Sequence, residues 1–186
     1  DDIAENNLYL RHLGKSFRDS RIIDAASFVL RTAAFEWEFS RLFSEDEWKS
    51  EQRKKLEEEA SKELERLIEN STGKLKKIYK DLKKSVVSYL SLSQKIGQIY
   101  EEYGASVLDL FGQSIYKLNN ISYNHSEIAE RIGKQRNNFA HGNLDKEFIN
   151  ESLLDVVFLE QIVLAMQLQY FGIDEVETKK IINEVF

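Results

Sequence analysis

Residues 20–43 read SRIIDAASFVLRTAAFEWEFSRLF, with apolar side chains on nearly every side of a helical wheel. The apolar positions form two stripes: Ile22, Ala26, Val29, Ala33 and Trp37 in one, and Phe28, Phe35, Phe39 and Leu42 in the other. A helix that is apolar all round is buried, because each side needs a neighbour to cover it. The segment therefore predicts a central helix from Ser20 to about Phe43, against which other helices pack.

The composition of the whole chain favours helices over other fold classes. Its 186 residues include eight glycines, no proline and no cysteine. Helices can run long without proline, whereas an all-β domain needs many Gly- and Pro-rich turns. Without cysteine, disulfides and thiolate metal sites are excluded, which fits a reducing cytoplasm. We therefore expect an all-α, cytoplasmic helical bundle.

Residues 44–103 predict a long, charged antiparallel helical hairpin. Ser44 and Glu47 form a capping box before a helix to about Asn70, and a third helix is expected over 74–103. Its apolar seam comprises Leu75, Ile78, Leu82, Val86, Tyr89, Ser93, Ile96, Tyr100 and Tyr103. The six lysines between Gly73 and Lys84 form either a solvent-exposed helix face or a surface that binds along the phosphates of a nucleic acid.

The remaining chain is expected to complete one domain over 20–186, and we interpret residues 1–19 as a lead-in segment from an upstream region. Further helices are expected at 105–118, 127–140 with Ser126 as its cap, 145–171 with Asp145 as its cap, and from Asp174 onwards. Gly142 is expected to stop the second of these, since glycine favours the position after a helix end.

Several common chemistries find no support in the sequence. The P-loop-like Gly14-Lys15-Ser16 lacks the earlier glycine, because position 9 is Tyr9, and Ser106 lacks the second glycine of a nucleophile elbow. The three histidines lie far apart, so we expect no metal site and no cofactor. The net charge of −6 argues against broad adhesion to nucleic acid, though not against a small site. No apolar run approaches the ~20 residues that span a bilayer.

One polar cluster stands out at residues 131–143, which read RIGKQRNNFAHGN. On a regular helix, Arg136 lies about 40° from Ile132, at the margin of the stripe formed with Ile128 and Phe139. His141 lies about 140° from Arg136, so the two side chains would not share a face. Either the helix unwinds at its end, or a second subunit brings its own pair close.

These residue types suit the cleavage of RNA by its own 2′-hydroxyl. A histidine such as His141 can transfer protons near neutral pH, and the always-cationic guanidinium of Arg136 can stabilise a phosphorane, with no metal. Asn137 could position a phosphate or hold Arg136. Glu36 lies on the first apolar stripe and needs a partner there, either in a structural ion pair with some arginine or as the group that orients Arg136.

The pattern Arg136-Asn137, three further residues, then His141-Gly142 resembles the motif of the HEPN superfamily. The aromatic-rich helix segment 34–39 makes the chain most similar to the Apea-like HEPN domain, over roughly residues 20–171. The resemblance implies a homodimer whose paired motifs form one composite ribonuclease site. It also implies an RNA substrate, with tRNA as one candidate, and a larger anti-phage protein that acts as a toxin in abortive infection.

Two hypotheses follow. The first is a metal-independent endoribonuclease that uses Arg136 and His141, supported by Asn137 and Glu36. The second is a non-catalytic helical module that dimerises or binds a partner through the apolar seam or the core helices. In the second case Arg136 and the asparagines only hydrogen-bond a helix end, and His141 is a loop residue.

Overall fold

The computed structural model describes residues 9, 13, 16, 22–43, 51–86, 90–103, 109–143, 148 and 150–185. Within them the chain forms eight helices and no strand, so the predicted all-α class is confirmed. The helices are α1 (Ala25–Leu42), α2 (Glu51–Glu69), α3 (Gly73–Val86), α4 (Leu92–Tyr103), α5 (Asp109–Leu118), α6 (His125–Ala140), α7 (Asn150–Tyr170) and α8 (Glu175–Val185). They belong to two units, residues 1–42 with 91–186, and residues 43–90.

Helix α1 begins later than the sequence pattern predicts. Residues 22–24 are not helical, and the helix is capped by a reciprocal pair at Asp24 and Ser27. The Ser27 N–H donates to Asp24 Oδ1 at 2.7 Å, and the Asp24 N–H donates to Ser27 Oγ at 2.9 Å. The predicted start near Ser20 is therefore wrong, because a side-chain cap satisfies the first free N–H groups only at Asp24.

The prediction that α1 is buried on every side is also wrong. The stripe of Phe28, Phe35 and Phe39 is fully buried against its neighbours, whereas Ile22 and Trp37 are 51% and 47% exposed. Helices α6 and α7 pack on one side of α1, so the first apolar stripe lies largely towards solvent. The buried side also carries charge, which the apolar pattern did not indicate: Arg31 pairs with Glu160, and Glu38 accepts from Gln167.

Helices α2 and α3 pack on each other as the predicted antiparallel hairpin and form the second unit. The predicted single helix over 74–103 is wrong, because α3 ends at Val86 and α4 begins at Leu92. At this new start the Ser91 N–H donates to Gln94 Oε1 at 2.9 Å, and the Gln94 N–H donates to Ser91 Oγ at 3.3 Å. A local cap therefore interrupts the apolar seam, and its second half belongs to the first unit.

Helix α6, which carries the polar cluster, is held by α1, α4 and α7. Its cap is Asn124 rather than the predicted Ser126, since Asn124 Oδ1 accepts from the N–H groups of Ser126 and Glu127.

Towards the other end of α6, the ring of Phe139 packs edge-on against Phe28 and Phe148, with centroids 5.7 and 5.1 Å away. This aromatic contact fixes the end of α6 against α1.

The remaining predictions of helices and capping residues are confirmed only in part. Asp174 caps α8, accepting from the Glu177 N–H at 2.9 Å, so the predicted last helix is confirmed. The described parts of the helices expected at 105–118 and 145–171 are α5 and α7. The capping residues expected at Ser44, Glu47 and Asp145, and most of the lead-in segment 1–19, lie outside the described residues.

Candidate active site at the end of helix α6

The last turn of α6 closes with a glycine, which confirms the predicted stop. Gly142 has φ +76°, a left-handed conformation that glycine adopts without strain. Its N–H donates to the Phe139 carbonyl at 3.1 Å, and the Asn143 N–H donates to the Asn138 carbonyl at 3.0 Å. These two bonds form a Schellman motif, in which His141 is the C-cap residue.

Arg136 lies at the margin of the buried side of α6, where the helical angles placed it. Its side chain is 37% exposed, while Ile132 and Phe139 beside it are buried. One guanidinium nitrogen, Nη2, lies 3.6 Å from Glu36 Oε2 on α1. The other, Nη1, donates to Asn137 Oδ1 at 3.4 Å. The structure therefore brings Arg136, Asn137 and Glu36 together in one partly exposed site.

Lys95 on α4 is a further member of this site that the sequence analysis missed. Its Nζ lies 3.5 Å from Glu36 Oε1, whereas Arg136 Nη2 approaches Oε2. The ammonium also lies 5.7 Å from the centroid of the Phe39 ring. No sequence signal pointed to Lys95, because it lies outside the predicted seam and the burial of Ile99, four residues later, is known only from the structure. A lysine on a buried helix side needs an anionic partner nearby.

His141 is the C-cap residue of α6, five positions after Arg136. Helix α6 stays regular through Ala140, and His141 is exposed, with a non-helical φ of −91° and ψ of 8°. The His141 N–H still donates to the Asn137 carbonyl at 3.1 Å, so the helical path reaches this residue and its side chain leaves the axis about 140° from that of Arg136. Among the described residues, no hydrogen bond or ion pair joins the His141 side chain to Arg136, Asn137 or Glu36.

A second arginine of α6 has a different environment, which the sequence analysis also missed. Arg131 donates from Nε and Nη2 to the two oxygens of Asp155 on α7, each at 2.8 Å. The Tyr116 hydroxyl, on α5, donates to the same carboxylate. Burial raises the pKa of both the Asp155 carboxyl and the Tyr116 hydroxyl. The three side chains tie α5, α6 and α7 together.

Acidic and histidine side chains are spread over the described helices. No three or more of them come together there in a group that could hold a metal ion. In the same part of the chain, every helix is too short or too polar to cross a bilayer.

The all-helical bundle and the Arg-x4-His motif at the end of α6 define a domain of the HEPN class. The family model described as Apea-like HEPN matches residues 32–176, well over half of the chain. The chain belongs to the Apea-like HEPN family. The match includes the hairpin and the site residues Glu36, Lys95, Arg136 and His141. No curated protein and no solved structure matches the chain.

Proposed function

We propose that this domain is a metal-independent endoribonuclease, with Arg136 and His141 as catalytic residues and Asn137 and Glu36 in support. The observation that carries the proposal is the state of Arg136. Its guanidinium is partly exposed, loosely paired with a carboxylate and five residues before an exposed imidazole, in a chain of the HEPN family. A cation held in this way is available to a phosphate.

The proposed reaction uses the RNA's own 2′-hydroxyl as nucleophile. Its oxygen attacks phosphorus and loses its proton, the bond from phosphorus to the 5′-oxygen breaks, and that oxygen takes up a proton. The products are a 2′,3′-cyclic phosphate and a 5′-hydroxyl. His141 transfers protons, while the fork-shaped guanidinium of Arg136 stabilises the charge that develops on the phosphorane. Asn137 accepts a hydrogen bond from Arg136 and so helps to hold the guanidinium in one orientation.

Because a regular helix up to Ala140 directs His141 about 140° away from Arg136 around the axis, we propose a homodimer. In it, Arg136 of one protomer and His141 of the partner subunit act on the same phosphate. A twofold axis supplies this pairing twice, because an isologous interface presents the same residues from both sides. The cytoplasmic role we propose is that of a toxin in anti-phage defence, which stops growth by cutting host RNA such as tRNA.

The proposal is tested by incubating the purified protein with labelled RNA in the presence of EDTA. We expect products with 2′,3′-cyclic phosphate ends, and we expect Arg136→Ala and His141→Ala each to abolish cleavage with the fold intact. Arg136→Lys is expected to lose at least about a hundredfold, because lysine keeps the charge but not the two-pronged geometry. Cleavage that depends on neither residue would reject the proposal.

His125→Ala provides the matched control for the loss of an imidazole. His125 lies at the other end of α6, where its ring stacks on Tyr100 with centroids 3.7 Å apart. The His125→Ala variant is expected to cleave RNA within about twofold of the wild-type rate, once circular dichroism shows that it is folded equally well. A large loss of cleavage in this folded variant would show that the assay responds to changes far from Arg136 and His141.

A second candidate function, a helical interaction module, is supported by the surface of the hairpin. Leu56, Leu75, Ile78 and Leu82 are each about half exposed or more. This candidate predicts that Leu82→Asp and Ile78→Asp disrupt association, while Arg136→Ala has no phenotype. Ile96→Asp would not test it, although Ile96 belongs to the predicted seam, because Ile96 is buried in the core of the first unit.

A further inference from the structure

We propose that Lys95 is a positioning residue of the site, which keeps Arg136 available to phosphate by occupying the Glu36 carboxylate. This inference rests on the proposed ribonuclease function and extends it to a residue outside the Arg-x4-His motif. The observation that supports the inference is that the Glu36 carboxylate lies between two cations. Lys95 and Arg136 each lie near a different oxygen of Glu36, at 3.5 and 3.6 Å.

The distances show that Arg136 is only loosely held. A strong charged hydrogen bond is shorter, about 2.7–2.9 Å, as in the pair of Arg131 with Asp155. Arg131 and Arg136 belong to the same helix, and of the two only Arg136 combines a long contact with a partly exposed carboxylate. Of these two arginines, Arg136 is therefore the one that can move to a phosphate without leaving a buried charge behind.

The balance of charge explains what Lys95 contributes. Glu36 is 32% exposed, so its carboxylate is partly desolvated and needs a cation. With Lys95 present, Glu36 stays paired when Arg136 leaves, and the group of three carries one net positive charge. Without Lys95, Glu36 and Arg136 form a neutral pair, and a phosphate must compete with the carboxylate for the guanidinium.

Lys95 is poorly placed to bind RNA itself. Its side chain is 12% exposed, the least of the three, and its ammonium lies above the Phe39 ring. A cation over an aromatic face and beside a carboxylate is held in place by both. Its effect on RNA is therefore expected to pass through Glu36 and Arg136, which makes Lys95 a positioning rather than a catalytic residue.

The first test measures how available Arg136 is, and it needs no RNA. Phenylglyoxal modifies free guanidinium groups, and peptide mass spectrometry reports the rate at each arginine. We expect Lys95→Met to slow modification of Arg136 and Glu36→Gln to speed it, with Lys95→Met having no effect in the Glu36→Gln background. Arg131 provides the slow internal reference. An unchanged or faster rate at Arg136 in Lys95→Met would overturn the inference.

The second test is a double-mutant cycle on RNA cleavage. Lys95→Met is expected to lower kcat/KM at least about tenfold, the effect of one charge interaction near a protein surface. In the Glu36→Gln background the same substitution is expected to change it less than about twofold, because no carboxylate competes for Arg136. Lys134→Met, which removes an exposed cation of α6, controls for net charge.

The outcomes separate this inference from the proposed function. Equal losses from Lys95→Met in both backgrounds would show that Lys95 touches RNA or holds the fold, and would overturn the inference. If the wild-type protein cuts no RNA, the proposed ribonuclease fails, and the phenylglyoxal rates still decide whether Lys95 governs Arg136. Thermal melting of each variant shows whether any loss comes from unfolding.

Discussion

Arg131 donates two hydrogen bonds of 2.8 Å to Asp155, whose side chain is 1% exposed. Five residues further along the same helix, Arg136 meets its carboxylate only at 3.6 Å and at the surface. One helix thus presents one arginine that is locked into the fold and one that is free to exchange partners. This contrast separates a structural role from a candidate catalytic one more clearly than the motif does.

Asp155→Ala is therefore expected to destabilise the fold. The change leaves the Arg131 guanidinium and the buried Tyr116 hydroxyl without their acceptor, at a cost of about 3 kcal/mol in the free energy of unfolding. Urea unfolding measures it. Glu177→Ala breaks the exposed pair with Lys180 and is expected to leave the free energy of unfolding almost unchanged. Similar costs for the two variants would contradict the structural role of Asp155.

The helix ends that were predicted correctly are those with short-range chemical signals. Gly142 ends α6 because only the chain's own backbone is needed to form its Schellman motif, and Asp174 caps α8 with a bond to a residue three positions away. The break between α3 and α4 also has a local signal, Ser91 with Gln94. That signal was hidden because the apolar seam continues across it.

The site was predictable only in so far as it depends on one helix. The position of Arg136 at the edge of the buried stripe follows from angles along α6. Its partners do not, since Glu36 and Lys95 come from α1 and α4, and no periodicity says which lysine meets which glutamate. Glu36 was selected as a carboxylate in an apolar stripe, yet that stripe is largely exposed. The reason for choosing it was thus wrong, although it does pair with Arg136.

The cap of α1 gives the protein a contribution to stability that depends on pH. The Ser27 N–H that bonds Asp24 lowers the pKa of that carboxyl below 3.8. Because the folded pKa is below the unfolded value, the contribution is present above 3.8 and is lost as the pH falls through the folded value.

Asp24→Asn, which can cap the helix but does not titrate, tests this direction of the pH dependence of stability. Near neutral pH the wild type is expected to be more stable by a few tenths of a kcal/mol, and the difference should vanish in acid. Asp24→Ala removes the cap and is expected to cost about 1 kcal/mol near neutral pH. Urea unfolding as a function of pH measures all three chains. A gap between wild type and Asp24→Asn that stays constant with pH would contradict the assignment.

Two glycines with open space around them should respond to alanine in opposite directions. Neither Gly142 nor Gly97 has an atom within 4 Å of an added Cβ, but Gly142 has φ +76° and Gly97 lies inside α4. Gly142→Ala is expected to cost about 1 kcal/mol, because the side chain strains the left-handed conformation. Gly97→Ala is expected to gain about 0.5 kcal/mol from lower chain entropy.

Activity distinguishes a purely structural effect of Gly142 from an effect on the site. Gly142→Ala disturbs the C-cap that holds His141, so cleavage should fall further than its melting temperature explains, whereas Gly97→Ala should cut RNA at the wild-type rate. Gly142→Asn, which tolerates the left-handed conformation better, is expected to recover part of both losses. Equal cleavage by Gly142→Ala and the wild type would show that the backbone at His141 is not critical.

Mixing two inactive variants tests whether the site is shared between protomers. If Arg136 of one protomer acts with His141 of the partner subunit, a dimer of Arg136→Ala with His141→Ala has one intact pair and one doubly defective pair. Random exchange makes half of the dimers mixed, so about a quarter of the wild-type activity should return. A mixture of Arg136→Ala with the double variant should remain inactive, because no intact pair can form. If differently tagged chains co-purify and the first mixture is still inactive, both residues must act from the same chain.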